Sequence, residues 1–215
     1  MKLYTYFRSS AAYRVRIALA LKGLPWEPAY VHMLRGGGEQ HSPAYRGINP
    51  QGLVPTFADE GFDLVQSIAI CEYLEEKYPE PRLLPGDLRA RAYVRAVMSA
   101  VACDIHPLNN LRVLKYVTST LGHNEAEKLA WYRHWIADGF AGLEGLIVQA
   151  GRSGVFACGD QPTLADAFIV PQVYNARRFD CPMDACPNIT RIADACLALP
   201  QFQAARPEAQ GDAGA

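Results

Sequence analysis

Arg8, Ser9 and Ser10 stand where a strand candidate, residues 2–6, gives way to a helix candidate over 10–23. Two adjacent hydroxyls therefore sit at a helix N-terminus. There the first backbone N–H groups lack intrahelical acceptors and the helix dipole is positive. Such a place holds an anion, a thiolate included. The helix continues through Tyr13-Arg14-Val15-Arg16-Ile17-Ala18-Leu19, and Arg16 is its one polar residue between Val15 and Leu21. A helix apolar almost all round is covered on more than one side.

Further along, Asn49-Pro50-Gln51-Gly52-Leu53-Val54-Pro55 leads into an apolar strand. Proline is tolerated at a strand's first residue, where its missing N–H need not break the ladder. A plain turn reads equally well there. In Val65-Gln66-Ser67-Ile68-Ala69-Ile70, Ser67 precedes an apolar-periodic helix and fits an N-cap. That helix start suits a carboxylate, or is an ordinary cap without a ligand. In Asp104-Ile105-His106-Pro107-Leu108-Asn109-Asn110-Leu111-Arg112 a long helix turns polar, and Pro107 predicts a kink. The bend can aim His106, Asn110 and Arg112 at a ligand, or His106 is a hydrogen-bonded core histidine with Asp104 beside it. Arg177 and Arg178 end an apolar helix, where a solvated face or a dipole partnership would also explain them. Thr163-Leu164-Ala165-Asp166 is a capping box and reads as structural.

The elements that position these residues change character along the chain. Up to about residue 80, strand candidates at 2–6, 27–32, 54–58 and 62–65 alternate with helix candidates at 10–23 and 67–78. Gly23-Leu24-Pro25 ends the first helix, Gly36 to Gly38 reads as a flexible loop, and Glu60-Gly61 fits a hairpin turn. Pro79 to Pro85 reads as a linker. Beyond it the pattern predicts helices over 87–118, 124–150, 163–174, 188–198 and 200–205, with a disordered tail over 207–215. The fold class is thus an α/β domain followed by an all-α domain.

Composition narrows the partners. The 215 residues carry a net charge of −1, which gives no basic surface for nucleic acid. No apolar run approaches the ~18 residues of a membrane helix, and the N-terminus lacks a signal-peptide pattern. Six cysteines without a CxxC pair or zinc spacing read as free thiols in a reducing cytoplasm, with a Cys181–Cys186 bridge as the alternative. The five histidines show no metal-ligand spacing, and no nucleotide-binding or nucleophile-elbow motif is present.

The run from Ser9 to Leu19 resembles the start of the zeta-class glutathione transferases, whose hallmark is Ser-Ser-Cys-x-x-Arg-Val-Arg-Ile-Ala-Leu. The likeness extends over nearly the whole chain. It implies a thioredoxin-like domain over 1–80, an all-helical domain over 87–206 and a homodimer. It implies glutathione as cofactor and a small dicarboxylate as substrate, with cis–trans isomerisation of maleylacetoacetate to fumarylacetoacetate in aromatic amino-acid breakdown as the reaction. Maleylpyruvate isomerisation, conjugation of α-halo acids and a non-enzymatic binding role on the same fold are the alternatives. On the resemblance, Val54 precedes a cis-proline and pairs through its backbone with the cysteinyl part of glutathione. Gln66 and Ser67 hold the γ-glutamyl end. Gln40, His106, Asn110 and Arg112 add contacts, some of them across the dimer.

The chemistry asks for a thiolate near neutral pH, whereas an ordinary thiol has a pKa of about 8.5. Lowering it by about two units takes roughly 2.7 kcal/mol. A serine hydroxyl supplies about 1.5–3 kcal/mol and a helix N-terminus about 0.3–1 kcal/mol. Ser9 is the first choice of donor and Ser10 the second. Arg8 and Arg178, the latter singled out over Arg177 by the resemblance, are the expected carboxylate clamps, because a guanidinium meets a carboxylate with two parallel hydrogen bonds. Arg14 reads either as a further clamp or as a brace between the first helix and its domain. The chain departs from the hallmark at Ala11, where the family has cysteine. It therefore lacks the protein thiol that disulfide chemistry would need at this position.

Overall fold

The structure is a computed structural model describing Met1–Gly214, and it divides into two units. The first comprises Met1–Leu83 together with Ala198 onwards; the second is Leu84–Leu197.

In the first unit β1 (Lys2–Thr5), α1 (Ser10–Leu21) and β2 (Glu27–Tyr30) form a β-α-β unit, with Lys2 opposite Glu27 in a parallel pair. α2 (Pro43–Ile48) follows. β3 (Thr56–Asp59) runs antiparallel to β1, and β4 (Phe62–Val65) returns beside β3, giving the order β2-β1-β3-β4. The hairpin turn is Glu60-Gly61, at φ 49° and 82°. Two successive positive φ values match the right-handed twist of the flanking strands. α3 (Ser67–Lys77) and α9 (Pro200–Ala205) both pack on α1. That double cover explains why α1 is buried from Ala12 to Leu19. α1 ends in a Schellman motif: Gly23 has φ 64°, its N–H reaches Ala20 O at 3.1 Å, and Leu24 N–H reaches Leu19 O at 3.0 Å.

Four expectations about this unit change. α2 was not anticipated; Ser42 caps it by accepting the Tyr45 N–H at 3.2 Å, with Pro43 opening the helix. The proline-rich stretch after α3 is anchored rather than a loose tether. Buried Lys22 donates to Tyr78 O at 2.6 Å and Pro81 O at 3.0 Å and pairs with Glu75 at 2.7 Å; Glu75 also accepts the Leu83 N–H. The tail expected to be disordered is ordered as far as Gly214. Pro207–Ala209 forms a 3-10 turn and Asp212 is buried, accepting the Phe7 N–H at 2.9 Å. Residues 198–206, placed by sequence in the helical domain, belong with the first unit. α9 packs on α1, and the Ala205 carbonyl accepts from Arg16 Nε at 3.1 Å, a contact no local pattern announces. Ala215 lies outside the described residues.

The second unit is helical: α4 (Leu88–Ser99), α5 (Leu111–Ser119), α6 (Glu125–Ala150), α7 (Leu164–Arg178) and α8 (Pro187–Leu197). The helix expected over 87–118 breaks where Pro107 predicted a kink. Ala100–Ile105 widens into a π-helical stretch and His106–Asn109 tightens into a 3-10 turn. Proline at 107 offers no N–H to continue the α-helical ladder. Gly139 of α6 sits against this stretch, since a Cβ there would lie 2.5 Å from Ile105 Cγ1. Glu144 of α6 ties down the start of α8 by accepting the Asn188 and Ile189 N–H groups at 2.9 and 3.0 Å. The capping box is structural, as read. Fully buried Asp166 accepts the Thr163 N–H at 2.7 Å, its hydroxyl at 2.9 Å and the Ala157 N–H at 2.8 Å.

All six cysteines are free. Burial pushes the Cys71 thiol up to about 12, so it is inert near neutral pH. No helix among the described residues is long and apolar enough to cross a membrane.

Candidate active site

The turn from β1 into α1 is held from both sides. Ser9 N–H donates to Tyr6 O at 2.9 Å, and Ser9 is the N-cap of α1, with φ −69° and ψ 114°. Its Oγ accepts the Ala12 N–H at 3.2 Å. A hydroxyl has one proton to donate, and capping uses only a lone pair. Half-buried Ser9 therefore keeps its O–H for a ligand at the positive end of α1. Ser10, at the first helical position, is buried. Arg8 is exposed, with Cζ 4.8 Å from the Phe7 ring centre, and no carboxylate among the described residues pairs with it.

Behind this turn lies Arg16, which is 1% exposed. It donates to Thr5 Oγ1 at 3.2 Å, Tyr6 O at 3.4 Å, Phe7 O at 3.0 Å and Ala205 O at 3.1 Å. One side chain thus joins β1, the turn, α1 and α9. In the sequence Arg16 stands out only as a lone charge in an apolar helix; its five donors here meet three backbone carbonyls and one hydroxyl.

Tyr6, Phe7 and Val54 share a hydrophobic cluster with Val31 and Tyr45, so the turn and the Val54 segment are neighbours. The Val54–Pro55 bond is cis, as the resemblance implies. The β3 register begins at Thr56, one residue beyond the proline and later than the strand expected from 54. Val54 therefore lies outside the ladder, in position to pair its backbone with an extended peptide. Tyr45 Oη and Asn49 Nδ2 both donate to Leu53 O at 2.7 Å and fix the segment.

The start of α3 corrects the sequence reading. Gln66, not Ser67, is the N-cap, and it has φ 72°. A side-chain-bearing residue held in the left-handed region costs on the order of 1–3 kcal/mol and marks functional sites often. Gln66 is exposed and donates from Nε2 to Gln51 Oε1 at 2.9 Å. Ser67 is buried, its Oγ accepting from Arg14 Nη1 at 3.1 Å. Arg14 is therefore a brace between α1 and α3.

Gln40 is 3% exposed, with Nε2 3.4 Å from Met33 O and 3.1 Å from His41 Nε2, while its Oε1 has no partner among the described residues. An orphaned buried acceptor calls for a donor. Gly38 makes room for it: a Cβ there would lie 2.5 Å from Gln40 Nε2, and Gly38 has φ 112°. The glycines read as a flexible loop thus form two 3-10 turns, Arg35–Gly37 and Glu39–His41, around this side chain. Gly38→Ala is expected to displace Gln40 and to cost the first unit about 1–3 kcal/mol, since alanine at this positive φ is strained and its Cβ meets the Gln40 amide; urea denaturation checks it.

In the second unit, His106 Nε2 contacts Asn110 Nδ2 at 3.3 Å, and Asn110 caps α5 by accepting the Arg112 N–H at 3.1 Å. The Arg112 side chain is exposed. At the end of α7, Arg177 pairs with Asp194 at 2.6 Å. Arg178 packs its Cζ 5.0 Å from the Phe179 ring centre and has no carboxylate partner among the described residues. Of the two adjacent arginines, the one singled out by resemblance is the uncommitted one.

Residues 3–82 match the family "Glutathione S-transferase, N-terminal domain". The chain is 50% identical over 213 residues to a maleylacetoacetate isomerase of Pseudomonas aeruginosa, covering 99% of this chain and 98% of that one. A solved maleylpyruvate isomerase, described as a bacterial glutathione S-transferase in the zeta class, superposes with a TM-score of 0.95 at 45% identity over all of both chains. The chain belongs to the zeta-class glutathione transferases. Another structural relative, a maleylacetoacetate isomerase of Anaeromyxobacter dehalogenans with glutathione bound in its active site, is 44% identical with a TM-score of 0.87, covering 99% of this chain and 97% of that one. As a zeta-class transferase this chain differs from the hallmark at Ala11, which is half-buried in the first turn of α1.

Proposed function

We propose that the chain is a glutathione-dependent cis–trans isomerase that converts maleylacetoacetate to fumarylacetoacetate. The observation that carries this reading is the Ser9 hydroxyl. It caps α1 with its oxygen and keeps its proton for an anion at the helix start. The first unit suits glutathione in three ways: the off-ladder backbone of Val54, the orphaned Oε1 of Gln40, and the strained Gln66 with buried Ser67 at the start of α3.

Glutathione, when bound, supplies the thiolate whose reversible addition turns the cis double bond into a single bond free to rotate. Ser9 donates its O–H to that sulfur, and the α1 N-terminus adds its dipole, so no protein base is required. Val54 takes the cysteinyl backbone, Gln66 and Ser67 take the γ-glutamyl end, and Gln40 offers its acceptor to a peptide donor. Ser10 supports the first turn as the second candidate donor. Arg8 and Arg178 each offer an unpaired guanidinium to a substrate carboxylate; Arg8, next to Ser9, also suits the negative charge that develops during addition. His106, Asn110 and Arg112 are assigned to ligand contact on the family resemblance. The reading places a homodimer in the cytoplasm, where free thiols persist; sedimentation velocity checks the dimer.

The test is ultraviolet monitoring of maleylacetone with enzyme and catalytic glutathione. Conversion to the trans isomer with glutathione undiminished is expected. Glutathione consumed in proportion to product would mean conjugation instead, and no turnover by protein that binds glutathione would sink the isomerase. The whole-length likeness to a maleylpyruvate isomerase favours a second reading with the same chemistry on a shorter substrate. Comparing kcat/KM for the two substrates separates them.

A further inference from the structure

Phe7 immediately precedes Arg8 and Ser9, and both of its backbone polar groups are held by buried charged side chains. Its carbonyl accepts from Arg16 and its N–H donates to Asp212 Oδ2 at 2.9 Å, across 205 residues of sequence. Asp212 is 6% exposed, and the next residue, Ala213, packs on the cluster that contains Tyr6, Phe7 and Val54. The tail is itself fastened. Gln210 Nε2 donates to Ala204 O at 3.0 Å and Arg206 O at 2.9 Å, and Gly211 lies where a Cβ would be 2.5 Å from Tyr30 Oη. A buried carboxylate is costly to desolvate and persists where its hydrogen bond fixes something. What it fixes here is the amide two residues before the Ser9 cap.

We propose that Asp212 is a positioning residue: by clamping the Phe7 amide, the C-terminal tail sets the aim of the Ser9 hydroxyl and the Arg8 guanidinium. This assignment rests on the functional reading above. Asp212 holds the N–H of the Tyr6–Phe7 peptide and Arg16 the carbonyl of the Phe7–Arg8 peptide, so both peptides flanking Phe7 are fixed only while both side chains are present. Releasing this N–H lets the Tyr6–Phe7 peptide tilt and carries Phe7, Arg8 and Ser9 with it, and a donor misplaced by a fraction of an ångström loses much of its effect on the sulfur.

The experiment is an ultraviolet pH titration of the thiolate of enzyme-bound glutathione, run alongside kcat and KM for maleylacetone. In Asp212→Ala the bound thiol's pKa is expected to rise by about one unit, so that roughly tenfold less thiolate forms at a pH below both values, and kcat falls more than KM rises. Asp212→Asn keeps an oxygen to accept the Phe7 N–H and is expected to recover most of the loss. Asp212→Glu keeps charge and acceptor but is one methylene longer, and serves if the alanine variant fails to fold; a raised thiol pKa is expected there too. A merely structural tail predicts lower stability with an unmoved thiol pKa, which would overturn the assignment. So would an asparagine variant as impaired as the alanine one. Wild-type protein that forms no thiolate with bound glutathione would overturn the functional reading itself, and the assignment with it.

Discussion

Arg16→Met is expected to cost the first unit about 4 kcal/mol. Methionine fills much of the volume but supplies no donor. Tyr6 O keeps the Ser9 N–H, whereas Phe7 O and Ala205 O lose the guanidinium in a buried site. Each stranded acceptor costs about 1–3 kcal/mol. A total near 4 kcal/mol is a large part of the roughly 5–15 kcal/mol that holds a domain together. Arg16→Lys should fall between, because one ammonium cannot reach β1, the turn and α9 at once. Urea denaturation measures this: a shift below about 1 kcal/mol for the methionine variant would show that the four hydrogen bonds are not what holds the turn.

The second large effect concerns catalysis. Ser9→Ala should lower kcat/KM for maleylacetone at pH 7 by roughly 10- to 100-fold, the equivalent of the ~1.5–3 kcal/mol of a hydrogen bond to a charged group. The loss should be smaller above pH 8.5 or so, where an unassisted thiol ionises by itself. Losing the cap adds about 1 kcal/mol of instability. Ser9→Thr, with the same oxygen and proton, should restore much of both. Ser10 is buried in the first turn, so Ser10→Ala should do less. A larger effect from Ser10→Ala than from Ser9→Ala would reverse their roles.

The two effects meet in one short turn, and they explain an apparent excess of buried charge around it. Arg14 and Arg16, two residues apart on α1, are both almost fully buried, yet they do different things. Arg14 reaches α3 and holds Ser67 at the start of that helix. Arg16 reaches the strand-to-helix turn and α9. Together they tie the two helix N-termini assigned to glutathione to a single helix, while the Ser9 hydroxyl proton stays available.

Local chemistry decided a good deal without tertiary information. The Gly23 stop, the Glu60-Gly61 turn, the Pro107 break and the Thr163–Asp166 box are each legible because one residue's backbone preference, or one pair's spacing, dominates its neighbourhood. The Ser9-Ser10 pair at the head of an apolar helix, with the family run that follows it, pointed to a thiolate site for the same reason. Tertiary structure decided what lies beyond a few residues' reach. Ser67 gave up the cap because Arg14, 53 positions away, presents a donor to its hydroxyl and because Gln66 is held at positive φ. Gln40's stranded oxygen arises from the fold of the glycine turns around it. The tail, polar and rich in alanine and glycine, carries no periodicity from which order can be read. It is ordered because Asp212 meets the Phe7 amide, and such a contact between residues 205 apart exists only once α1, α9 and β1 are assembled.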